Sequence, residues 1–366
     1  MAKKRSIFLY PFSLLYGFVT AVKNFLYNSG ILKSFEFSIP VICVGNISVG
    51  GTGKTPHTEY LAGMLSRHFK VAVLSRGFKR KSPGFLYAEP DSLVEEIGDE
   101  PKQISGKYPG IIVAVDRNRV NGIKKILEDY PETEVIVLDD AFQHRRLQPG
   151  FSILLSDFGR LIIEDSMLPY GNLREHAHNM NRADIILITK SPQDISAIQR
   201  RLIVKQINKA PYQNLYFTAL TYLPPVPLFG EGTPAEDLFK PDERSKTGIL
   251  LITGIANPGL LYEYLKNKAG EIVHLRFKDH HRFDNKDNEK IYSAWNSIKS
   301  SVKYVITTEK DAVRLREFIN IAEPDRSLFY YLPVEINFLN DDKEEFDNII
   351  VEYVRKNKRN NRISQV

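Results

Sequence analysis

An α/β fold, a mostly parallel sheet with helices on both faces, is predicted by three features of this 366-residue sequence. Short continuous apolar runs alternate with helical stretches through its first two-thirds, as expected of strands buried on both faces. One such run, Val41–Gly45, leads into the glycine-rich stretch Gly50-Gly51-Thr52-Gly53-Lys54-Thr55 and then a helix start, so the sheet is of the P-loop NTPase type. Hydrophobic residues make up 43% of the chain, enough for a sizeable core.

Taken in order, the first element is N-terminal. Lys3-Lys4-Arg5 precede the uncharged run Ser6–Val22, rich in Phe, Leu and Tyr. No small-residue cleavage site follows it. Pro11, Ser13 and Gly17 interrupt the run and Lys23 ends it, short of the roughly 20 apolar residues a spanning helix needs. Phe8, Phe12, Leu15, Val19 and Val22 share one face at helical spacing. Residues 1–30 therefore read as an amphipathic helix lying in a membrane interface, with the basic residues near anionic head groups. The alternative is a helix packed on the core.

Residues 31–222 read as the P-loop domain. After the loop come a helix over Thr55–His68, a strand over Val71–Ser75 and the basic loop Arg76–Lys81. A strand over Ile111–Ala114 and a helix over Arg119–Tyr130 follow. Strands are expected over Glu134–Asp140, Phe151–Ser156 and Asp184–Thr189, then a helix over Ile195–Lys205. Residues 223–246, rich in Pro and Gly, read as a linker. Residues 247–366 read as a smaller C-terminal α/β domain. Its strands are Gly248–Thr253 and Tyr304–Thr307, its helices Pro258–Ala269 and Lys286–Ile298. The run Val354–Arg362 reads as a basic tail, either solvated or drawn to a lipid surface.

A single cysteine, Cys43, excludes a disulfide framework and suits a reducing compartment. The net charge of +6 suits an anionic partner such as a nucleotide or a phospholipid surface. Nucleic acid is not expected, because no aromatic-basic motif accompanies the charge.

The glycine-rich loop carries the chemistry. Ser48 stands where the strict G-x-x-x-x-G-K-[ST] pattern has its first glycine. From Ser48 and Val49 through Gly50, Gly51, Thr52 and Gly53, backbone N–H groups are expected to cradle the phosphates of ATP. Lys54 would reach the β- and γ-phosphates, the Thr55 hydroxyl would ligate Mg²⁺, and the helix N-terminus faces the anion. The strand EVIVLDD delivers Asp139 and Asp140 to its carboxyl end, where one can hold Mg²⁺. A helix cap would explain one aspartate, less easily two. His144, in the following Phe142-Gln143-His144, can orient the second carboxylate or a phosphate.

Other residues leave alternatives open. Asp99 and Glu100 in GDEP are either a general base pair or a turn cap. Asp279-His280-His281 offers a carboxylate–imidazole dyad using one of its histidines, and lacks the partners of a zinc site. The basic loops, Arg76 with Lys79, Arg80 and Lys81, and Arg117 with Arg119, bind a phosphate or form a solvated surface. Glu175 in GNLRE is a loop acid able to touch Mg²⁺ or substrate.

Together these segments resemble the lipid A 4'-kinase (tetraacyldisaccharide 4'-kinase) family. The resemblance covers about residues 7–335 and rests on GNISVGGTGKTP, LSRGF, GDEP, LDDAFQHRRL, LPYGNLRE, ADIILITK, GIANP, FKDHH and TEKDAV. It implies a P-loop domain and a smaller α/β domain with the active site between them. It also implies an ATP- and Mg²⁺-dependent kinase acting on the 4'-hydroxyl of an acylated disaccharide lipid, peripheral at the cytoplasmic face of the bacterial inner membrane. On that resemblance Lys54 and Thr55 match the Walker A pair, and Asp139 and Asp140 the Walker B carboxylates. His144 matches the adjoining histidine, and Glu175 the glutamate of the LRE segment. Asp99 matches the catalytic acid, accepting or orienting the sugar hydroxyl proton, with His280 tuning it. Arg76, which lies in LSRGF, His144 and Arg119 are expected as substrate contacts. Ala141 and Phe78 depart from the family's usual Gly and Tyr.

The rival reading is a membrane-associated P-loop ATPase switch. Those proteins carry a signature lysine where this chain has Val49. A GTPase is disfavoured because Pro192 replaces the aspartate of the guanine-reading motif after Thr189-Lys190.

Overall fold

The computed structural model describes residues 7–230, 238–239, 241–318 and 325–363. In chain order the first part runs α1 (Tyr10–Asn28), β1 (Val41–Gly45), α2 (Lys54–Ser66), β2 (Val71–Ser75), β3 (Leu86–Tyr87), α3 (Val94–Ile97) and α4 (Asp99–Lys107). It continues β4 (Ile112–Val115), α5 (Arg119–Asp129), β5 (Val135–Asp139), β6 (Phe151–Asp157), β7 (Ile185–Thr189), α6 (Ala197–Ile207) and β8 (Asn214–Tyr222). The second part runs β9 (Val226–Pro227), β10 (Thr247–Thr253), α7 (Gly259–Lys266), β11 (Glu271–Arg276), α8 (Asn285–Ser297), β12 (Val302–Thr308), α9 (Glu309–Glu317) and β13 (Phe329–Leu332). The chain closes with β14 (Val334–Phe338) and α10 (Lys343–Ile363).

Among the described residues the large sheet has nine strands in the order β14-β8-β7-β6-β1-β5-β2-β4-β3. It is parallel except at its edges, where β14 and β3 run antiparallel to their neighbours. Its strands read as unbroken apolar runs because alternate residues serve two cores. Val41 and Cys43 of β1 join one core, with Val120, Ile123 and Ile126 of α5 and Ile203 and Ile207 of α6. Ile42 and Val44 join the other, with Leu61 and Leu65 of α2 and Ile104 of α4. β1 sits between β5 and β6, where the strand order reverses, and a ligand crevice opens at the carboxyl ends of strands at such a point.

The smaller sheet is β11-β10-β12-β13-β9. Leu261 and Leu265 of α7 cover one face. Ile291 of α8 and Ala312 and Leu315 of α9 cover the other. Two expectations about segmentation change here. Residues 247–366 do not all stay with this sheet: β14 returns to pair with β8, and Phe346, Ile350 and Val354 of α10 fill the second core of the large sheet. The charge-rich run from Val354 is thus part of a docked helix, with residues 364–366 outside the described ones. The expected linker 223–246 also contributes structure, since β9 pairs with β13 and Leu228 is buried beside Phe329.

The face of α1 that meets the protein is its polar one. Ser13, Gly17 and Asn24 are the buried positions. The Ser13 hydroxyl donates to the Met167 carbonyl at 2.7 Å, and Asn24 Nδ2 donates to Glu175 at 3.0 Å. Phe8, Phe12 and Phe18 are 83%, 63% and 66% exposed. No helix among the described residues is long and apolar enough to cross a membrane.

Candidate active site

The glycine-rich loop leaves β1 and enters α2 at Gly53, whose φ of 87° lies in the left-handed region that favours glycine. Gly50 has φ 111° for the same reason. Neighbours pin the loop's carbonyls. Arg160 Nη2 donates to the Val49 carbonyl at 2.6 Å, and Lys190 Nζ donates to the Gly51 carbonyl and to Asp157. The Thr189 hydroxyl donates to the Thr52 carbonyl at 2.8 Å. The Val49 N–H already donates to the Asn172 carbonyl at 2.8 Å and the Thr52 N–H to the Gly50 carbonyl at 3.0 Å, so the remaining N–H groups of the loop are the ones left to face an anion. His57, one turn into α2, donates from Nδ1 to the Gly53 carbonyl at 2.7 Å and accepts from Thr218 at Nε2. Burial pushes its pKa down to about 4, so it is neutral here. Ser48 is buried and bridges Leu173, away from the cavity wall, so only Val49 onward faces a ligand.

Asp139 and Asp140 end β5 with different partners. Asp139 is buried and accepts from Ser75 at 3.1 Å and Thr58 at 3.2 Å. Burial, then Glu100 and Asp140, push it up to about 6. Asp140 has φ 49°, an unfavourable region for an aspartate that recurs at functional sites. Lys54 lies 3.8 Å and Arg174 3.7 Å from its carboxylate, and its buried Oδ1 has no hydrogen-bond partner.

The cavity, about 790 Å³, is walled by the loop, Lys54, Thr55, Asp139 and Asp140, and on the other side by the smaller sheet. Arg76, Arg119, His144 and Glu175 line it, as do Tyr16, Thr20, Lys23 and Asn24 of α1. Arg119 is largely committed: its guanidinium donates to the carbonyls of Asp116 and Asp139 and braces the end of β5. Glu175 accepts from Arg182 at 2.5 Å and from Asn24, so it anchors α1 and joins no ligand cluster with Asp139 and Asp140. The His144 ring accepts from the Arg119 N–H at 3.4 Å, and burial and Arg119 hold its pKa down to about 4. Arg80, expected on the solvated basic loop, is instead buried and donates to the Gly84 carbonyl.

The start of α4 and the smaller sheet contribute the rest. Asp99, at the start of α4, and His280, which follows β11, are far apart in sequence but meet at 2.8 Å, His280 Nδ1 donating to Asp99 Oδ2. Burial works to raise the Asp99 pKa, but Lys310, His280 and Arg314 hold it down to about 2. His280, Asp279 and Glu100 line the cavity, whereas Asp99 stands behind them. Lys310 donates to Glu100 at 2.7 Å. Arg314 and Asp311 hold the loop that carries His280: Gly254 N–H donates to Asp311 at 3.0 Å, and the His280 N–H donates to the Gly254 carbonyl at 3.1 Å. Phe78 packs its ring 4.9 Å from that of His280.

Sequence reasoning gave no role to Lys190, Arg160, Lys310 or Arg314. Lys190 had a signal, since a Thr-Lys pair after a strand of a P-loop sheet is placed to reach the loop. Lys310 lies within the TEKDAV segment, but its contacts with Glu100 and His280, like that of Arg160 with Val49 and those of Arg314 with Gly254 and His281, span long sequence distances that no local pattern shows.

Residues 5–355 match the family of tetraacyldisaccharide-1-P 4'-kinases. The chain is 48% identical over 358 residues to a Phocaeicola vulgatus protein named tetraacyldisaccharide 4'-kinase, covering 97% of each. It is 45% identical over 362 residues to the Bacteroides thetaiotaomicron protein of that name, covering 98% of this chain and 95% of the other. Its fold is similar to that of LpxK from Aquifex aeolicus in complex with ATP, with a TM-score of 0.70 and 28% identity over 94% of this chain and 98% of that one.

Proposed function

Because the chain belongs to the tetraacyldisaccharide-1-P 4'-kinase family, we propose that its cavity moves the γ-phosphoryl group of ATP to the 4'-hydroxyl of a tetraacyl disaccharide 1-phosphate. One observation carries this reading. A single cavity joins the phosphate loop, the Asp140 carboxylate, an Asp–His dyad and the inner side of α1. Nucleotide, proton acceptor and lipid head group then meet in one place.

ATP would lay its phosphates on Val49–Thr55, with Lys54 on the β- and γ-oxygens. The apolar wall of Leu220, Tyr222, Leu261, Leu332 and Val334 suits the adenine ring, and Ala256 closes over Gly51. The donor set fits a hard cation: Asp140 Oδ1, which makes no hydrogen bond, and the Thr55 hydroxyl would hold Mg²⁺, with Asp139 acting through water. Bound there, Mg²⁺ supplies neutralising charge to the phosphate oxygens. Asp99, buried and strongly acidic, suits orienting His280 rather than taking the proton itself. His280 lines the cavity, and its Nε2 would accept the hydroxyl proton as the new O–P bond forms and ADP leaves. Closure of the smaller sheet over the loop would exclude water. The outward hydrocarbon of α1 would hold the enzyme on the cytoplasmic face of the inner membrane, where its acceptor resides.

Phosphate transfer from γ-labelled ATP to a tetraacyl disaccharide 1-phosphate in detergent micelles tests the proposal. Label should appear in the lipid, and Lys54→Ala should reduce it by at least about 100-fold. ATP hydrolysis with no label in the lipid would overturn it in favour of a P-loop ATPase switch.

A further inference from the structure

Lys310 occupies a position that the reaction must use. It opens α9 on the smaller sheet, lines the cavity, and is 20% exposed at its side chain. Its Nζ lies 2.7 Å from Glu100, 3.3 Å from His280 Nε2 and 3.9 Å from Asp99. The acceptor atoms of Asp99, Glu100 and His280 lie within 4.8 Å of one another, a nest that could otherwise take a metal ion. Here an ammonium sits among them. Burial opposes its charge, but Glu100 and Asp99 outweigh that and raise its pKa, so it is a permanent cation.

Two consequences follow from these distances. Because His280 Nδ1 donates to Asp99, Nε2 is the ring's acceptor, and Lys310 holds that lone pair. A substrate hydroxyl cannot be deprotonated by Nε2 until the ammonium moves off it. An attacking oxygen hydrogen-bonded to Nε2 would also bring the γ-phosphorus within about 3–3.5 Å of that oxygen. The equatorial phosphoryl oxygens then fall within reach of an ammonium on a flexible four-carbon stem that now contacts the same nitrogen. Arg314, the other cation near Asp99, is already committed to Asp311 and to the carbonyls of Gly254 and His281.

We propose that Lys310 is a further catalytic residue, a cation carried by the smaller sheet that leaves His280 Nε2 for the γ-phosphoryl oxygens when both substrates are bound. That one movement frees the proton acceptor and adds charge where charge develops. The hydroxyl proton goes to His280, the oxygen bonds to phosphorus, the bond from phosphorus to the β-phosphate oxygen breaks, and ADP leaves. With nucleotide alone, Lys310 stays on Nε2, which restrains ATP hydrolysis. The inference rests on the reading of Asp99 and His280 as the proton-accepting dyad.

The test measures kcat and KM in detergent micelles for the full chain carrying Lys310→Met, which keeps the stem, Lys310→Ala and His280→Ala. Lys310→Met should lower kcat by at least about 100-fold while KM for ATP changes less than about threefold. Added n-propylammonium should restore Lys310→Ala by at least about tenfold and leave His280→Ala unchanged, a response that a strut would not give. A Lys310→Met kcat within about fivefold of the parent, or a failure of amine rescue with the fold intact, overturns the proposal. Should neither variant fold, Lys310→Arg is read instead: an unchanged kcat counts against the role, and a drop of about tenfold at constant KM for ATP supports it. If His280→Ala itself keeps full transfer, the dyad reading has failed; if only the Lys310 variants are normal, this inference alone has.

Discussion

The two terminal helices are inversions of each other. α10 packs with Phe346, Ile350 and Val354 at intervals of four residues and turns Glu344, Glu352, Arg355 and Lys356 to solvent. α1 packs with Ser13, Gly17 and Asn24, also at helical spacing, and turns Phe12, Leu15, Phe18 and Val19 outward. Gly17 makes that approach close: a Cβ there would stand 3.2 Å from the His176 ring, which would have to shift. Both helices are amphipathic, and periodicity alone makes them equivalent. What distinguishes them is the side each gives to the protein. α10 uses the protein as its apolar phase, whereas α1 leaves its apolar side for a phase outside the chain. Contiguous exposed hydrocarbon of this kind marks an interaction surface.

Ranked by effect on stability, four experiments break or sharpen this contrast. Phe346→Ala should cost about 3–5 kcal/mol, read as a lower urea midpoint, because it empties a filled core site. A mild effect would mean that α10 is only loosely docked. Acid should act on the same face. His57 of α2 is held near pKa 4 in the fold against about 6.5 unfolded, so the unfolded chain binds the proton first. Stability present above pH 6.5 is then lost as the pH falls towards 4, by up to about 3 kcal/mol. Hydrogen exchange in α2 should rise across that window and be flattened in His57→Gln; equal loosening of α1 would erase the distinction.

Asn24→Leu removes the bond to Glu175 and should cost about 1–2 kcal/mol, together with weaker protection of α1. Replacing Phe12 and Phe18 together by Ser should change stability by less than about 0.5 kcal/mol yet lower binding to anionic phospholipid vesicles by at least about tenfold. A double variant that unfolds, or that binds vesicles as the parent does, would show that α1's outer face serves the fold.

The phosphate loop and the Asp139-Asp140 strand end were legible because their chemistry requires neighbours in sequence. The meeting of Asp99 with His280 was not, since the two lie 181 residues apart and only family resemblance links them. β14 escaped notice because its place is set by pairing with β8, more than a hundred residues earlier. β11, read over as EIVHLR, is half-covered and carries polar residues that blur an apolar run. α10 shows its three apolar positions plainly, but the charges between them suggested a tail. Glu175 looked like a metal ligand because a loop acid's partners, here Arg182 and Asn24, do not show in a linear string.

The same helix that bares hydrocarbon on one side offers Tyr16, Thr20, Lys23 and Asn24 to the cavity on the other. An α-helix with its side chains is about 10–12 Å thick. On the membrane reading, that thickness is the height to which a sugar must be lifted out of its leaflet to meet the nucleotide. Fatty tails longer than this climb would remain among their neighbours. An enzyme so built would inspect the sugar and its phosphate closely while sensing little of the far ends of the chains.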